Sequence, residues 1–106
     1  DQTRLYPGTR ATMEAARERG TVLAVLTNKP VRISNIILEG LGVGNWFFRV
    51  YGGNSFAAKK PDPIGIHTLR EESNVGAERT VMVGDSKVDI LTARNAGVYS
   101  VGLTYG

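Results

Sequence analysis

Short aliphatic runs alternate with helix-patterned segments along the whole chain, and this alternation constrains the fold more than any other feature. Val22-Leu23-Ala24-Val25-Leu26, Phe47 to Tyr51, Thr80 to Val83 and Tyr99 to Leu103 read as strands. Continuous β-branched and aliphatic runs such as Val22–Leu26 predict strands buried on both faces of a parallel sheet. Helical spacing marks Thr9 to Arg19, a segment opening near Pro30 with Ile33, Ile36, Ile37 and Leu41, then Ile64 to Ser73, and Ser86 to Asn95. Gly20, Gly40, Gly42 and Gly97 supply the stops. The resulting order, α-β-α-β-α-β-α-β, predicts an α/β fold with a Rossmann-like, doubly wound parallel sheet and right-handed crossovers. At 106 residues the chain is expected to form a single domain, 1–106, around one core.

The composition narrows the partners. There are no cysteines, so disulfides and thiolate metal sites are excluded. The net charge is +3, but Lys and Arg are scattered, with no run longer than Lys59-Lys60. That balance fits a small anionic ligand better than nucleic acid. No apolar stretch is long enough to span a bilayer and no signal peptide is visible, so a cytoplasmic protein without a membrane partner is expected. The aromatic cluster Trp46, Phe47 and Phe48 reads as core or as a plug at a sheet edge. The lone His67, between Ile66 and Thr68 on a helix, reads as a surface or packed histidine.

In an open parallel sheet, ligands bind outside the carboxyl ends of the strands. Three loops expected there carry polar residues. Thr27-Asn28 follows the first run and offers a hydroxyl and an amide that can donate to phosphate oxygens, or that can cap the next helix. The longest irregular stretch, Asn54 to Pro63, holds Lys59-Lys60-Pro61-Asp62-Pro63. Pro61 stiffens the chain beside Lys60, whose ammonium can offset charge on a phosphoryl group. Solvated lysines ahead of a helix are the plainer account of this loop. The third loop is Gly84-Asp85-Ser86-Lys87-Val88-Asp89. Asp85 and Asp89 are four apart and can share one face of a helix start, where two carboxylates suit a hard cation. Asp85 or Ser86 as a cap and Asp89 as a first-turn charge would explain each residue singly. Gly84 is expected to let the strand turn sharply.

Together the three loops resemble the haloacid dehalogenase superfamily of hydrolases, and within it the phosphoglycolate phosphatase branch. Leu26-Thr27-Asn28-Lys29-Pro30, Lys59-Lys60-Pro61-Asp62-Pro63 and Val101-Gly102-Leu103-Thr104-Tyr105-Gly106 carry the closest likeness. The resemblance implies a Mg²⁺-dependent phosphatase acting on phosphate monoesters of small molecules. It implies that Thr27 and Asn28 bind the phosphoryl group, and that Lys60 orients it and neutralises charge as the catalytic cation. Asp85 would ligate Mg²⁺, and Asp89 would support the metal or Lys60.

The same resemblance implies a nucleophilic Asp from an Asp-x-Asp-Gly-Thr motif on a first strand, and a cap domain. The sequence contains no Asp-x-Asp. Leu5-Tyr6-Pro7-Gly8 resembles the point where the family's chain returns from cap to core. The expected fold is therefore an incomplete haloacid dehalogenase core, truncated before its first strand and inactive by itself. In the family that strand lies between those read here as Val22–Leu26 and Thr80–Val83. Its loss predicts unpaired edges, and with them self-association or pairing with a complementing chain. A non-catalytic interaction module is the alternative reading. A receiver-like domain with Asp85 as phosphoacceptor is a third, but this chain has no acidic cluster near its first strand.

Overall fold

The computed structural model describes residues 9–102. Eight regular elements follow in the expected order: α1 (Thr9–Glu18), β1 (Ala24–Leu26), α2 (Val31–Gly40), β2 (Arg49–Tyr51), α3 (Ile64–Ser73), β3 (Val81–Gly84), α4 (Lys87–Ala96) and β4 (Tyr99–Gly102). Short 3-10 turns at Gly44–Trp46 and Ala77–Arg79 lead into β2 and β3. The tail that begins at Leu103 lies outside the described residues, as does the segment Leu5-Tyr6-Pro7-Gly8.

The strands form two separate parallel pairs. β1 runs beside β2 with Ala24 opposite Arg49 and Leu26 opposite Tyr51. β3 runs beside β4 with Val81 opposite Tyr99 and Val83 opposite Val101. Among the described residues β1 and β3 are not paired with each other. Helix α3 bridges the two halves by packing on both β1 and α4. Gly65 permits this approach, since a Cβ there would come within 2.5 Å of a Leu26 methyl.

The fully covered core is small: Val43, Ile66, Ala93 and Ala96, with Ser34, Thr92 and Asp89 as buried polar neighbours. Buried hydroxyls are satisfied locally. Ser34 donates to the Pro30 carbonyl, and Thr92 donates to the Val88 carbonyl at 2.6 Å. Helix α1 docks through its cations. The Arg10 and Arg17 guanidinium groups lie 5.0 and 4.7 Å from the centre of the Trp46 ring, and Arg10 also donates to the Leu41 carbonyl. Trp46 is thus a half-buried docking post for α1. Gly97 ends α4 in the left-handed region, at a φ of 72° that glycine adopts without strain.

Burial departs from the sequence expectation. Val22, Val81 and Val83 keep 50–58% of their surface, and Tyr99 and Val101 are equally open. Val81, Val83, Tyr99 and Val101 are matched by register, so they share one face of the β3–β4 pair; in β3 they alternate with half-buried Met82 and Gly84, while β4 is exposed throughout. Helix α4 packs on this pair, and no described element covers that opposite set. Ile33 and Ile36 of α2 are likewise exposed, while Ser34 faces inward. The runs are apolar enough for two-sided burial, but burial needs neighbours as well as composition.

This division gives a direct expectation. Val43→Ala should cost about 2 kcal/mol in urea unfolding, from lost contact and a residual cavity. Val83→Ala, on the open face, should cost less than about 0.5 kcal/mol. Equal losses at the two sites would contradict the assignment of core and open face.

Candidate functional site

The carboxyl ends of β1, β2 and β3 feed the three loops that sequence inspection singles out. The loop after β2 closes onto the loop after β1 with little room between them. A Cβ on Gly52 would lie 2.4 Å from the Val31 nitrogen, and one on Gly53 would lie 2.2 Å from the Asn28 carbonyl oxygen. Gly53 donates its N–H to the Lys29 carbonyl at 2.7 Å, and Asn54 accepts the first helical N–H of α2, from Val31. Helix α2 is therefore capped across the site by Asn54, and neither Thr27 nor Asn28 caps it. Thr27 instead accepts the Lys29 N–H at 3.1 Å in a local turn.

Asn28 and Lys60 meet through the main chain of Lys60. The Asn28 amide oxygen accepts the Lys60 N–H at 3.0 Å, and its nitrogen donates to the Lys60 carbonyl at 3.2 Å. From this anchored position the Lys60 ammonium donates to Asp89 Oδ1 at 2.6 Å. The pair is shielded, with side-chain exposures of 13% and 10%. Lys59, its neighbour, is exposed.

Asp89 uses both carboxylate oxygens. Oδ2 accepts the Asp85 N–H and the Ser86 hydroxyl, each at 3.2 Å. Burial pushes this carboxyl up, yet the Lys60 ammonium outweighs it, with help from Ser86 and the Asp85 N–H, and holds it below the ordinary 3.8. Gly84 makes the arrangement possible. A Cβ at Gly84 would lie 2.2 Å from Asp89 Oδ2, so the residue is there for close approach of the carboxylate and not for a sharp turn.

The structure thus brings Asn28, Lys60 and Asp89 into one connected network, with Asp85 tied to it through its N–H. Thr27 adjoins it through the turn to Lys29. Among the described residues no group of three or more His, Cys, Asp or Glu side chains gathers to hold a metal. His67 is exposed on α3. Three contributors escape sequence inspection: Ser86 on Asp89, Asn54 on α2, and Asn95, whose amide donates to the Pro61 carbonyl at 3.0 Å. Asparagine at a helix end or in a loop carries no local mark of a partner more than 20 residues away, as with Asn54 and Val31. No described helix is long and apolar enough to cross a membrane.

The low-lying Asp89 carboxyl carries a signed pH dependence. A carboxyl held lower in the folded than in the unfolded state adds stability above its unfolded value, and that stability is lost as pH falls through the folded one. Urea unfolding at pH 7, 5 and 3 should show a loss on acidification that is smaller in Asp89→Asn. Parallel profiles for the two proteins would contradict the ion pair as described.

Comparison with known proteins finds relatives along nearly the whole chain. The profile of the haloacid dehalogenase-like hydrolases matches residues 1–103. The phosphoglycolate phosphatase of Vibrio cholerae is 47% identical over 102 residues, which span 96% of this chain and 45% of that protein. The crystal structure of a predicted phosphoglycolate phosphatase from Haemophilus somnus superposes with a TM-score of 0.92 at 40% identity, over 97% of this chain and 46% of that one. A haloacid dehalogenase superfamily hydrolase from Geobacter sulfurreducens superposes with a TM-score of 0.85 at 28% identity, over 92% of this chain and 50% of that one. The chain spans less than half the length of curated relatives such as the Vibrio cholerae protein.

Proposed function

From the premise that this chain belongs to the haloacid dehalogenase-like hydrolase family, we propose that it is the phosphate-binding portion of a phosphatase of the phosphoglycolate phosphatase type. The observation that carries the reading is the shielded Lys60–Asp89 pair at the carboxyl end of the parallel strands. Lys60 holds its charge at a fixed place, and an ammonium bonded once to Asp89 keeps two further N–H groups for phosphoryl oxygens. Thr27 contributes a hydroxyl from the adjoining loop. Asn28 spends one amide hydrogen on Lys60 and has one left for a phosphate oxygen.

Mg²⁺ belongs to the proposal through Asp85. A hard dication that keeps most of its waters is anchored by one or two carboxylates, and Asp85 supplies oxygen donors beside the pair. Asp89 has both oxygens engaged already, so its role is assigned to Lys60 first. Bound there, the metal would balance charge on the phosphoryl oxygens. The described residues offer no third side chain of the kind that would complete the site, so weak binding by this chain alone is expected.

The covalent chemistry needs a carboxylate nucleophile, and these 106 residues hold no Asp-x-Asp pair. A complementing segment that carries one is therefore part of the proposal. Its place is suggested by β1 and β3, which do not pair with each other among the described residues, and by the open face at Val81, Val83, Tyr99 and Val101. A strand seated between β1 and β3 would satisfy backbone groups on both halves, and covering the open apolar set would take a further element packed on that face. Association of two copies of the chain through the same edges is the competing arrangement.

The test is phosphate release from 2-phosphoglycolate and from an aryl phosphate, with and without Mg²⁺. The chain alone should give only background release. Adding a separate polypeptide that carries Asp-x-Asp-Gly-Thr should give Mg²⁺-dependent release, and Lys60→Ala should abolish it. Release by the chain alone, or release indifferent to Lys60→Ala, would contradict the proposal.

A further inference from the structure

We infer that Asn28 and Asn95 form a two-sided clamp that positions the Lys60 ammonium, an inference that rests on reading Lys60 as the cation facing phosphate. A lysine side chain has four rotatable bonds, so its charge is localised only if both ends are held. Asp89 holds the tip. The base is held by Asn28, whose single planar amide engages the N–H and the C=O of Lys60 together. That pairing copies one rung of a β ladder and fixes the backbone torsions of the residue it grips. The next residue is held from the other side, because Asn95 donates to the Pro61 carbonyl at 3.0 Å.

The origins of the two asparagines give the clamp its meaning. Asn28 follows β1, in one half of the divided sheet, and Asn95 lies on α4, the helix that also carries Asp89. The Lys60-Pro61 segment is therefore gripped by both halves, and the ammonium points back to the second half. Asn28 is a positioning residue in this account. Any donation to phosphate from its remaining amide hydrogen comes second to its grip on Lys60.

Two-dimensional NMR of the ¹⁵N-labelled chain tests this without phosphate, metal or turnover, so failure of the phosphatase reading would leave the result intact. The signals to follow are the Lys60 main-chain amide and the Lys60 ammonium bonded to Asp89. Asn28→Ala should speed exchange of the Lys60 amide by about tenfold, the scale of one lost hydrogen bond, and should broaden the ammonium signal. Asn28→Asp keeps an acceptor for the Lys60 N–H but loses the donor, so the amide should stay slow while the ammonium signal shifts. Asn95→Ala should shift the ammonium signal and leave the Lys60 amide slow. Unchanged amide exchange and ammonium signal in folded Asn28→Ala would overturn the clamp. Should Asn28→Ala fail to fold, an ammonium signal unmoved in both Asn28→Asp and Asn95→Ala would overturn it equally.

Discussion

The Lys60–Asp89 ion pair is the contact on which the rest of the site depends. It joins the long loop after β2 to the first turn of α4, and so it crosses between the two halves of the sheet. A buried pair is weak evidence for stability, because desolvation offsets most of the attraction. Here each partner is satisfied beyond the pair itself. Asp89 takes two more hydrogen bonds from Asp85 and Ser86, and Lys60 is gripped through its main chain by Asn28. Such a pair is better understood as a device that places a charge than as a source of folding energy.

Glycines set how closely the parts can come. Gly84 leaves the volume that Asp89 occupies, Gly52 and Gly53 let the second loop lie on the first, and Gly65 lets α3 reach β1. These close approaches draw three loops into one network although β1 and β3 do not pair among the described residues. The divided sheet and its open apolar face sit beside a plain fact of length: the Vibrio cholerae and Haemophilus somnus relatives, which match across nearly all of this chain, are more than twice as long. Membership of the haloacid dehalogenase-like hydrolases follows from the profile match and from the curated and structural relatives together.

Element order and type were legible in the sequence because both are written locally, in the period of apolar residues and in the glycines that stop helices. Helix α3 falls where its pattern places it, and the strands differ from expectation only by a few residues at their ends. Burial was not legible. Val81 and Val83 have the composition of a strand covered on both faces, but coverage depends on neighbours that a local pattern does not contain. The same limit applies within the site. Lys60, Asp85 and Asp89 announce themselves by charge and spacing. The grip of Asn28 on Lys60, of Asn95 on Pro61 and of Asn54 on α2 joins residues far apart in sequence, and an amide has no charge to betray its partner. Gly84 stands out in the sequence by its place at a strand end, and only the position of Asp89 shows why a side chain is forbidden there.

The central claim is that the Lys60–Asp89 pair is a shielded contact between the two halves of the molecule. A double-mutant cycle with Lys60→Met and Asp89→Asn, read by urea unfolding at pH 7, tests it most directly. The account predicts that each single substitution costs about 3 kcal/mol or more, because it strands a desolvated partner, and that the coupling energy exceeds about 1 kcal/mol. A coupling of about 0.5 kcal/mol or less, the scale of an exposed surface pair, would contradict it.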